Sequence, residues 1–121
     1  MHIVIFVDRC NMPLGIEDKR LPSGAFFVSS QNNYAYGGER ARINQMNTRG
    51  RSGGWYSQRN DKLQWLCIDL GRVTPVTGVA TQGRYDGNQW VTTYLLSYSR
   101  NGIKYYPYSE LGRVRVGGHR A

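Results

Sequence analysis

Residues 64–71 read Gln-Trp-Leu-Cys-Ile-Asp-Leu-Gly, an apolar run that closes on a glycine. In an extended chain, successive side chains point to opposite faces. One face of this run carries Leu66, Ile68 and Leu70, and the other carries Trp65, Cys67 and Asp69. This period of two predicts a β-strand with one face in a core.

Strand character continues after this run. Residues 76–81 are rich in β-branched side chains, and Pro75 before them marks a corner, because proline cannot donate to a central ladder. A further strand is predicted over residues 90–99, where aromatic and apolar side chains alternate with polar ones. No segment carries a sustained apolar repeat of helical period. The pattern therefore predicts an all-β, antiparallel sandwich or barrel.

The tetrapeptide Arg100-Asn101-Gly102-Ile103 indicates a turn between two strands. Asn-Gly between strand-like flanks favours a tight type I′ hairpin, because both central residues tolerate a positive φ. The return strand is predicted over residues 104–108.

The composition is that of one basic, folded domain. The chain has 121 residues, enough for one domain and too few for two. Sixteen Lys and Arg against eight Asp and Glu give a formal charge of +8. An aromatic content of 12% excludes a disordered tail. No apolar run approaches the roughly 20 residues of a membrane span, and two cysteines are too few for a disulfide-dense miniprotein.

The two ends of the chain differ from its middle. Residues 1–9 are interpreted as a leader or an upstream extension. Residues 1–7 are apolar but lack the basic start of a signal peptide, so a first β-strand is the alternative interpretation. Residues 111–121 are polar, basic and punctuated by glycine, which is typical of a divergent tail.

Three segments between the strands are loops by composition: residues 31–38, 47–54 and 84–89. The first carries two tyrosines, the second is basic and rich in glycine, and the third contains Tyr85, Asp86 and Asn88. Loops that carry aromatic and arginine side chains are the usual place for binding on a β scaffold.

Taken in order, these segments resemble one family, the discoidin or coagulation factor V/VIII type C domain. The matching residues are Cys10, residues 13–17, 28–30 and 41–44, Gly54-Trp55, residues 64–71, 76–79 and 81–84, Gln89-Trp90-Val91-Thr92, Tyr94, Tyr98-Ser99 and Gly102. The likeness covers residues 10–110 and is greatest to animal extracellular adhesion versions. It implies a distorted jelly-roll β-barrel of about eight core strands, here incomplete at the C-terminus.

The resemblance also implies a disulfide between an opening and a closing cysteine. Cys10 takes the opening position, and the position of its expected partner is absent from this chain. Cys67 stands where relatives usually have another residue. A Cys10–Cys67 disulfide is the alternative pairing.

By family order, loops at one end of the barrel hold the ligand. The candidate binding residues are Tyr34, Tyr36, Arg49, Arg51, Ser52, Tyr85, Asp86 and Asn88. A tyrosine ring suits a membrane interface or a sugar face, and a guanidinium grips phosphate, sulfate or carboxylate. The alternative for Tyr34 and Tyr36 is a ring folded back over the barrel end, and the alternative for Arg49 and Arg51 is an ordinary solvated surface. The residues expected to serve structure are Trp55, Trp65, Asp69, Arg84 and Trp90, with Asp69 a candidate partner for Arg84.

Catalysis and metal binding find little support in the sequence. The only histidines, His2 and His119, lie near the chain ends, and a zinc site needs three or four His or Cys ligands at suitable spacing. No cofactor is expected. Calcium is the one metal that the resemblance leaves open, although no dense acidic loop is present. We therefore predict that the domain is not an enzyme.

The predicted function is that of an extracellular adhesion or recognition module. Its loops would bind an anionic partner, namely a phospholipid surface, a glycan or a protein receptor, with peripheral rather than transmembrane attachment. The alternative is a carbohydrate-binding accessory domain of a secreted multidomain enzyme. An RNA-binding interpretation of the Gly-Arg stretch is disfavoured, because that stretch is short and flanked by β sequence, so no nucleic acid partner is expected.

Overall fold

The computed structural model describes residues 2–7, 12–13, 19–76, 78–83, 91–110, 113–114 and 116–118. Short antiparallel strands dominate these residues, as the period-two pattern predicts. The strands, in chain order, are β1 (His2–Val7), β2 (Met12–Pro13), β3 (Phe26–Val28), β4 (Leu66–Ile68), β5 (Gly78–Gln82), β6 (Thr93–Leu95), β7 (Ser97–Tyr98), β8 (Tyr106–Pro107), β9 (Ser109–Glu110), β10 (Arg113–Val114) and β11 (Val116–Gly118). The all-β prediction is confirmed.

Three of the six strand pairings in the described residues join partners distant in sequence, and three are local. β1 lies between β2 and β5, and β3 pairs with β4 so that Phe26 faces Ile68 and Val28 faces Leu66. β6 pairs with β11, while β7 with β8 and β9 with β10 form local pairs. Loops therefore gather at the strand ends, where they are held by contacts across the fold.

The core forms around the inward face of β4. Ala25, Ala41 and Trp55 are buried. The partly buried side chains packed against them are Leu21, Phe26, Leu66, Ile68, Leu70 and Val79. The predicted alternation is confirmed, because Leu66, Ile68 and Leu70 all belong to this set.

Both chain ends contain strand where a leader and a tail were predicted. In the N-terminal segment, β1 pairs with β5 over His2–Phe6, in agreement with the alternative of a first strand. In the segment predicted as a divergent tail, β10 pairs with β9 and β11 with β6. The proposed boundaries at residues 10 and 110 remain predictions.

The β7–β8 connection differs from the predicted type I′ turn. The paired residues are Ser97 with Pro107 and Tyr98 with Tyr106, which leaves residues 99–105 as the loop. Gly102 has φ +72°, but Asn101 lies outside the left-handed region, so the type I′ prediction is wrong. The physical reason is local hydrogen bonding, since the side chains of Ser99 and Asn101 accept the loop's own backbone N–H groups.

Within the described residues, the helical segments are single 3-10 turns, Ser23–Ala25, Tyr34–Tyr36 and Gly38–Ala41. In the part of the chain that the structure describes, no helix has the length and apolar character needed to cross a membrane.

Candidate functional site

The first predicted loop, residues 31–38, turns on Asn33. The Asn33 Oδ1 atom accepts the backbone N–H of Ala35 at 2.8 Å, which starts the 3-10 turn Tyr34–Tyr36. Tyr34 leaves this turn with 72% of its surface exposed. Tyr36 is half-buried and packs against Tyr56, with 5.6 Å between ring centroids. Of the two tyrosines in this loop, only Tyr34 therefore offers most of its surface to solvent.

The second predicted loop folds into a two-residue hairpin turn. Thr48 and Arg51 exchange both backbone hydrogen bonds, at 2.8 and 3.0 Å. Between them, Arg49 has φ +44° and Gly50 has φ +77°. Two positive φ values are the signature of a type I′ turn. Arg49 is thus fixed at an exposed tip, and within the described residues no hydrogen bond or ion pair restrains its side chain.

The two loops form one continuous surface, which we call the rim (residues 31–38 and 45–54). The backbone N–H of Ser52 donates to Ala35 O at 2.7 Å, and the N–H of Tyr56 donates to Tyr36 O at 3.3 Å. The first bond joins the two loops directly, and the second ties the first loop to the residues just after the second loop. Tyr34 and the Arg49 tip therefore lie on the same part of the molecule.

Arg51 bridges the loops with its side chain. Its guanidinium lies over the Tyr34 ring, 4.5 Å from Cζ to the centroid, and donates to Tyr34 O at 3.4 Å. The same group forms an ion pair with Glu39. Arg51 is therefore engaged within the domain, where it positions the Tyr34 ring. Its predicted direct contact with a ligand stays a prediction, and a ligand anion would compete with Glu39 for the guanidinium.

Ser52 differs from the exposed residues with which it was grouped. It is buried, and its Oγ has no hydrogen-bond partner among the described residues. The carbonyl oxygen of Ser52 accepts a hydrogen bond from Arg40 Nε at 2.6 Å. Ser52 thus belongs to the buried part of the rim, and its predicted contact with a ligand stays a prediction.

Arg40 supports the rim from below. Besides Ser52, its guanidinium binds Met46 O at 3.0 Å and Thr48 Oγ1 at 2.9 Å. Burial lowers the pKa of Arg40, and the nearby charge of Arg51 lowers it further. This buried arginine connects the 3-10 turn Gly38–Ala41 to both sides of the hairpin.

All residues of the third predicted loop, 84–89, lie outside the described residues, so the predictions for Arg84, Tyr85, Asp86 and Asn88 stay predictions. The same applies to Trp90, which follows the loop, and to Cys10. The strand that leads to this loop contacts Asn44, the residue before the rim segment 45–54. Gln82 Oε1 accepts the N–H of Asn44 at 2.9 Å, and Gln82 Nε2 donates to Asn44 Oδ1 at 3.2 Å.

The residues assigned to structure have different environments. Trp55 is buried, and its Nε1 donates to Ser30 O at 2.9 Å. Trp65 is 51% exposed, which differs from the expected packing role and follows from its place on the outward face of β4. Asp69 is exposed and accepts the N–H of Gly71 at 2.8 Å. Cys67 is a free thiol.

Sequence reasoning missed Glu39 and Arg40. Glu39 is the only acidic residue between Asp18 and Asp61, and it precedes a segment, residues 40–60, with five arginines and no carboxylate. A single acidic residue beside a basic segment is a candidate for an ion pair, and this is the sequence signal that could have identified Glu39. Among the described residues, no three His, Cys, Asp or Glu side chains gather as a metal site would require.

Comparison with known proteins agrees with this architecture. The profile of the F5/8 type C domain matches residues 27–120. This chain belongs to the F5/8 type C domain family. The predicted resemblance is thereby confirmed, and the short antiparallel strands fit the jelly-roll-like fold of that family.

Two relatives of this F5/8 type C domain illustrate the match. Lactadherin from Rattus norvegicus is 31% identical over 113 residues, covering 88% of this chain. Coagulation factor V from Mus musculus is 31% identical over 107 residues, covering 86%. The matched region is 26% of the length of lactadherin and 5% of that of factor V, so the chain corresponds to a small part of each.

Proposed function

We propose that this F5/8 type C domain is an extracellular binding module whose rim recognises an anionic ligand. The observation that carries the proposal is the juxtaposition of Tyr34 with the Arg49–Gly50 turn, joined by Arg51. An exposed ring and an unrestrained guanidinium on one braced surface can contact an apolar or sugar face and an anionic group together.

The charge around the rim favours an anionic partner. Residues 40–60 carry five arginines and no Asp or Glu. Glu39 is the nearby carboxylate, and it is already paired with Arg51. Because the remaining field is positive, we expect association to be fast at low salt and to weaken as salt increases.

Among anionic ligands, the rim supports a sulfated or carboxylated glycan best. Tyr34 is a single exposed ring with a polar end, which suits stacking on a sugar. The apolar area needed for deep lipid insertion is small here, although Met46 adds a half-exposed side chain. The same feature supports the alternative of a carbohydrate-binding accessory domain, which would differ in taking a neutral glycan.

The domain is proposed to act by binding and not by catalysis. Glu39, the carboxylate at the rim, is held in an ion pair, and a general base needs access to a substrate proton. The groups that the rim does expose, a phenol ring and a guanidinium, are recognition groups.

Binding is tested with heparin, neutral glycans and phosphatidylserine vesicles. We expect Arg49→Gln and Tyr34→Ala each to weaken heparin binding roughly tenfold, since one charged contact or one aromatic contact contributes about 1–2 kcal/mol. Arg72→Gln removes the same charge at an exposed position outside the rim and serves as the matched control. Equal weakening by Arg49→Gln and Arg72→Gln would contradict a rim site. Binding to neutral glycans without binding to heparin would favour the accessory-domain alternative.

The extracellular placement is tested by antibody staining of intact cells that express the full-length protein.

A further inference from the structure

The β7–β8 loop (residues 99–105) holds the one asparagine in the sequence that is followed by glycine. Asn101 precedes Gly102, whereas the other seven asparagines precede larger residues. The backbone nitrogen of the next residue can attack the side-chain amide of an asparagine, and a glycine leaves that approach unobstructed. A Cβ atom added at Gly102 would meet no atom beyond its chain neighbours within 4 Å, and both residues are exposed. The pair is therefore open to reaction and to water.

Three hydrogen-bond donors converge on the side-chain oxygen of Asn101. Its Oδ1 atom accepts the backbone N–H groups of Ile103 and Lys104, at 2.9 and 3.0 Å, and the hydroxyl of Ser99 at 3.1 Å. Attack on a carbonyl carbon places negative charge on the carbonyl oxygen, and donors already aimed at that oxygen stabilise the charge as it develops. The amide of Asn101 is therefore polarised for attack at Cγ.

Ser99 contacts the attacking nitrogen as well as the oxygen that receives the charge. Its Oγ accepts the N–H of Gly102 at 2.9 Å and donates to Asn101 Oδ1. Because a hydroxyl both donates and accepts protons, Ser99 can take the proton of Gly102 and pass its own to Oδ1. The loop holds this proton path in place before the reaction begins.

The surroundings of the amide are positively charged. Arg100 and Lys104 flank the Asn101–Gly102 pair in sequence, and residues 91–109 contain no Asp or Glu. Nearby positive charge favours the negatively charged form of a group. It therefore supports the charge that develops on Oδ1, and it also stabilises a carboxylate formed at this position.

The loop lies away from the rim. Tyr105 Oη is 3.7 Å from Cys67 Sγ, on the outward face of β4. The rim adjoins the end of the β3–β4 ladder at which Ser29 N donates to Trp65 O. A reaction in this loop is therefore independent of the function proposed for the rim.

We propose that Asn101 modifies itself, with Gly102 N as the nucleophile and Ser99 as the catalytic residue that moves the proton. A bond forms between Gly102 N and Asn101 Cγ while the Gly102 proton passes to Ser99 Oγ and the Ser99 proton passes to Oδ1. The Cγ–Nδ2 bond then breaks, the Oδ1 proton leaves with the nitrogen as ammonia, and a cyclic succinimide remains. Water opens this ring. The sum is the loss of ammonia and the gain of water, with no oxidation or reduction.

The ring opens in two ways, and the two products differ in their effect on the loop. Attack of water at Cγ gives aspartate, whose carboxylate can still accept the N–H groups of Ile103 and Lys104. Attack at the backbone carbonyl carbon of residue 101 gives isoaspartate, in which the main chain runs through Cβ and Cγ and is longer. We expect the longer chain to loosen the pairing of Tyr98 with Tyr106. Both products place a negative charge in a loop whose other charged residues are cations.

Peptide mapping by mass spectrometry follows the reaction in the full chain, kept at physiological pH and temperature. We expect Asn101 to acquire the mass difference between an amide and a carboxyl group roughly tenfold faster than Asn47 or Asn60, which lack a following glycine. Both internal controls are exposed. Ser99→Ala should slow the reaction about tenfold or more, because positioned proton transfer contributes about 10²–10⁴-fold. Ser99→Thr keeps the hydroxyl and should retain the rate. Urea denaturation of both variants checks that the fold is kept.

The inference is overturned if Asn101 keeps its amide as long as Asn60 does, or if Ser99→Ala reacts as fast as the wild type. The wild-type chain offers a check that needs no substitution. In urea the contacts of Ser99 are lost, so Asn101 should react more slowly than in the folded protein. An equal or faster reaction in urea would overturn the catalytic role of Ser99.

Discussion

The Arg51 guanidinium lies 4.5 Å above the Tyr34 ring and at the same time forms an ion pair with Glu39. One cation thus fixes the orientation of the exposed ring while its charge is balanced inside the domain. Glu39 and a bound anion would compete for the same guanidinium. The carboxylate is therefore expected to limit the affinity of the rim for anionic ligands.

Replacing Glu39 with glutamine should strengthen heparin binding. Glu39→Gln removes the competing carboxylate and releases Arg51, and the expected gain is roughly fivefold, equivalent to about 1 kcal/mol. Heparin affinity at fixed ionic strength measures the effect. Asp61→Asn makes the same charge change in an exposed loop, where hydrogen bonds from Gln64 and Leu63 hold the pKa of Asp61 below its ordinary value and keep it charged. If Glu39→Gln and Asp61→Asn increase heparin affinity equally, the cause is the change in net charge and not the release of Arg51.

A second prediction concerns the close packing of Gly38 against β3. A methyl group at Gly38 would lie 2.8 Å from Val28 Cγ1, closer than side-chain carbons approach each other. Gly38→Ala should therefore reduce the free energy of unfolding by about 1–3 kcal/mol, as overpacked cores do. Urea denaturation provides the measurement. Gly24→Ala, where no atom lies within 4 Å of the added carbon, is the matched control. A stable Gly38→Ala variant would contradict this packing.

The contact between Tyr105 and Cys67 predicts an effect of pH. The hydrogen bond to Cys67 is the main cause that raises the pKa of Tyr105, and the charge of the Cys67 thiolate adds to it. The folded protein therefore holds the Tyr105 proton more tightly than the unfolded chain does. The contact stabilises the folded state fully at pH values below the ordinary tyrosine pKa. This stabilisation is lost as the pH rises through the Tyr105 pKa. In Cys67→Ala, the Tyr105 NMR titration should shift to lower pH, with the other tyrosines as internal reference. An unchanged titration would rule out the contact.

The sequence was sufficient for features that depend on local pattern. The alternation around Leu66, Ile68 and Leu70 placed those side chains in the core, because a strand's period does not depend on its partner. The same alternation puts Trp65, just before β4, on the opposite face, which explains its exposure, although a packing role was expected for it. The family resemblance predicted binding on three loops, and the structure brings two of these together in the rim.

The features that the sequence left open depend on contacts between loops. The ion pair joins Glu39 to Arg51, twelve residues apart, and no periodicity in the sequence indicates it.

The type of a turn also depends on the residues around it. Asn101–Gly102, with the better type I′ composition, adopts another loop because Ser99 and Asn101 bind its backbone, while Arg49–Gly50 forms the type I′ turn because Thr48 and Arg51 pair on either side.

That turn leads to a prediction in which stability and binding change in opposite directions. Arg49 occupies the left-handed region, φ +44°, where a residue with a long side chain is disfavoured and asparagine is accepted readily. Arg49→Asn creates an Asn-Gly turn and should increase the free energy of unfolding by about 0.5–1 kcal/mol. Heparin binding should fall as it does for Arg49→Gln, since both variants lack the charge. Urea denaturation and heparin affinity, measured on the same preparations, check the pair of effects. Arg49→Gln lacks the charge but keeps a long side chain in the left-handed region. It should therefore lose heparin binding without the gain in the free energy of unfolding. If Arg49→Asn were destabilising, residues 48–51 would not form this turn in solution, and if it bound heparin like the wild type, the tip would not be the contact.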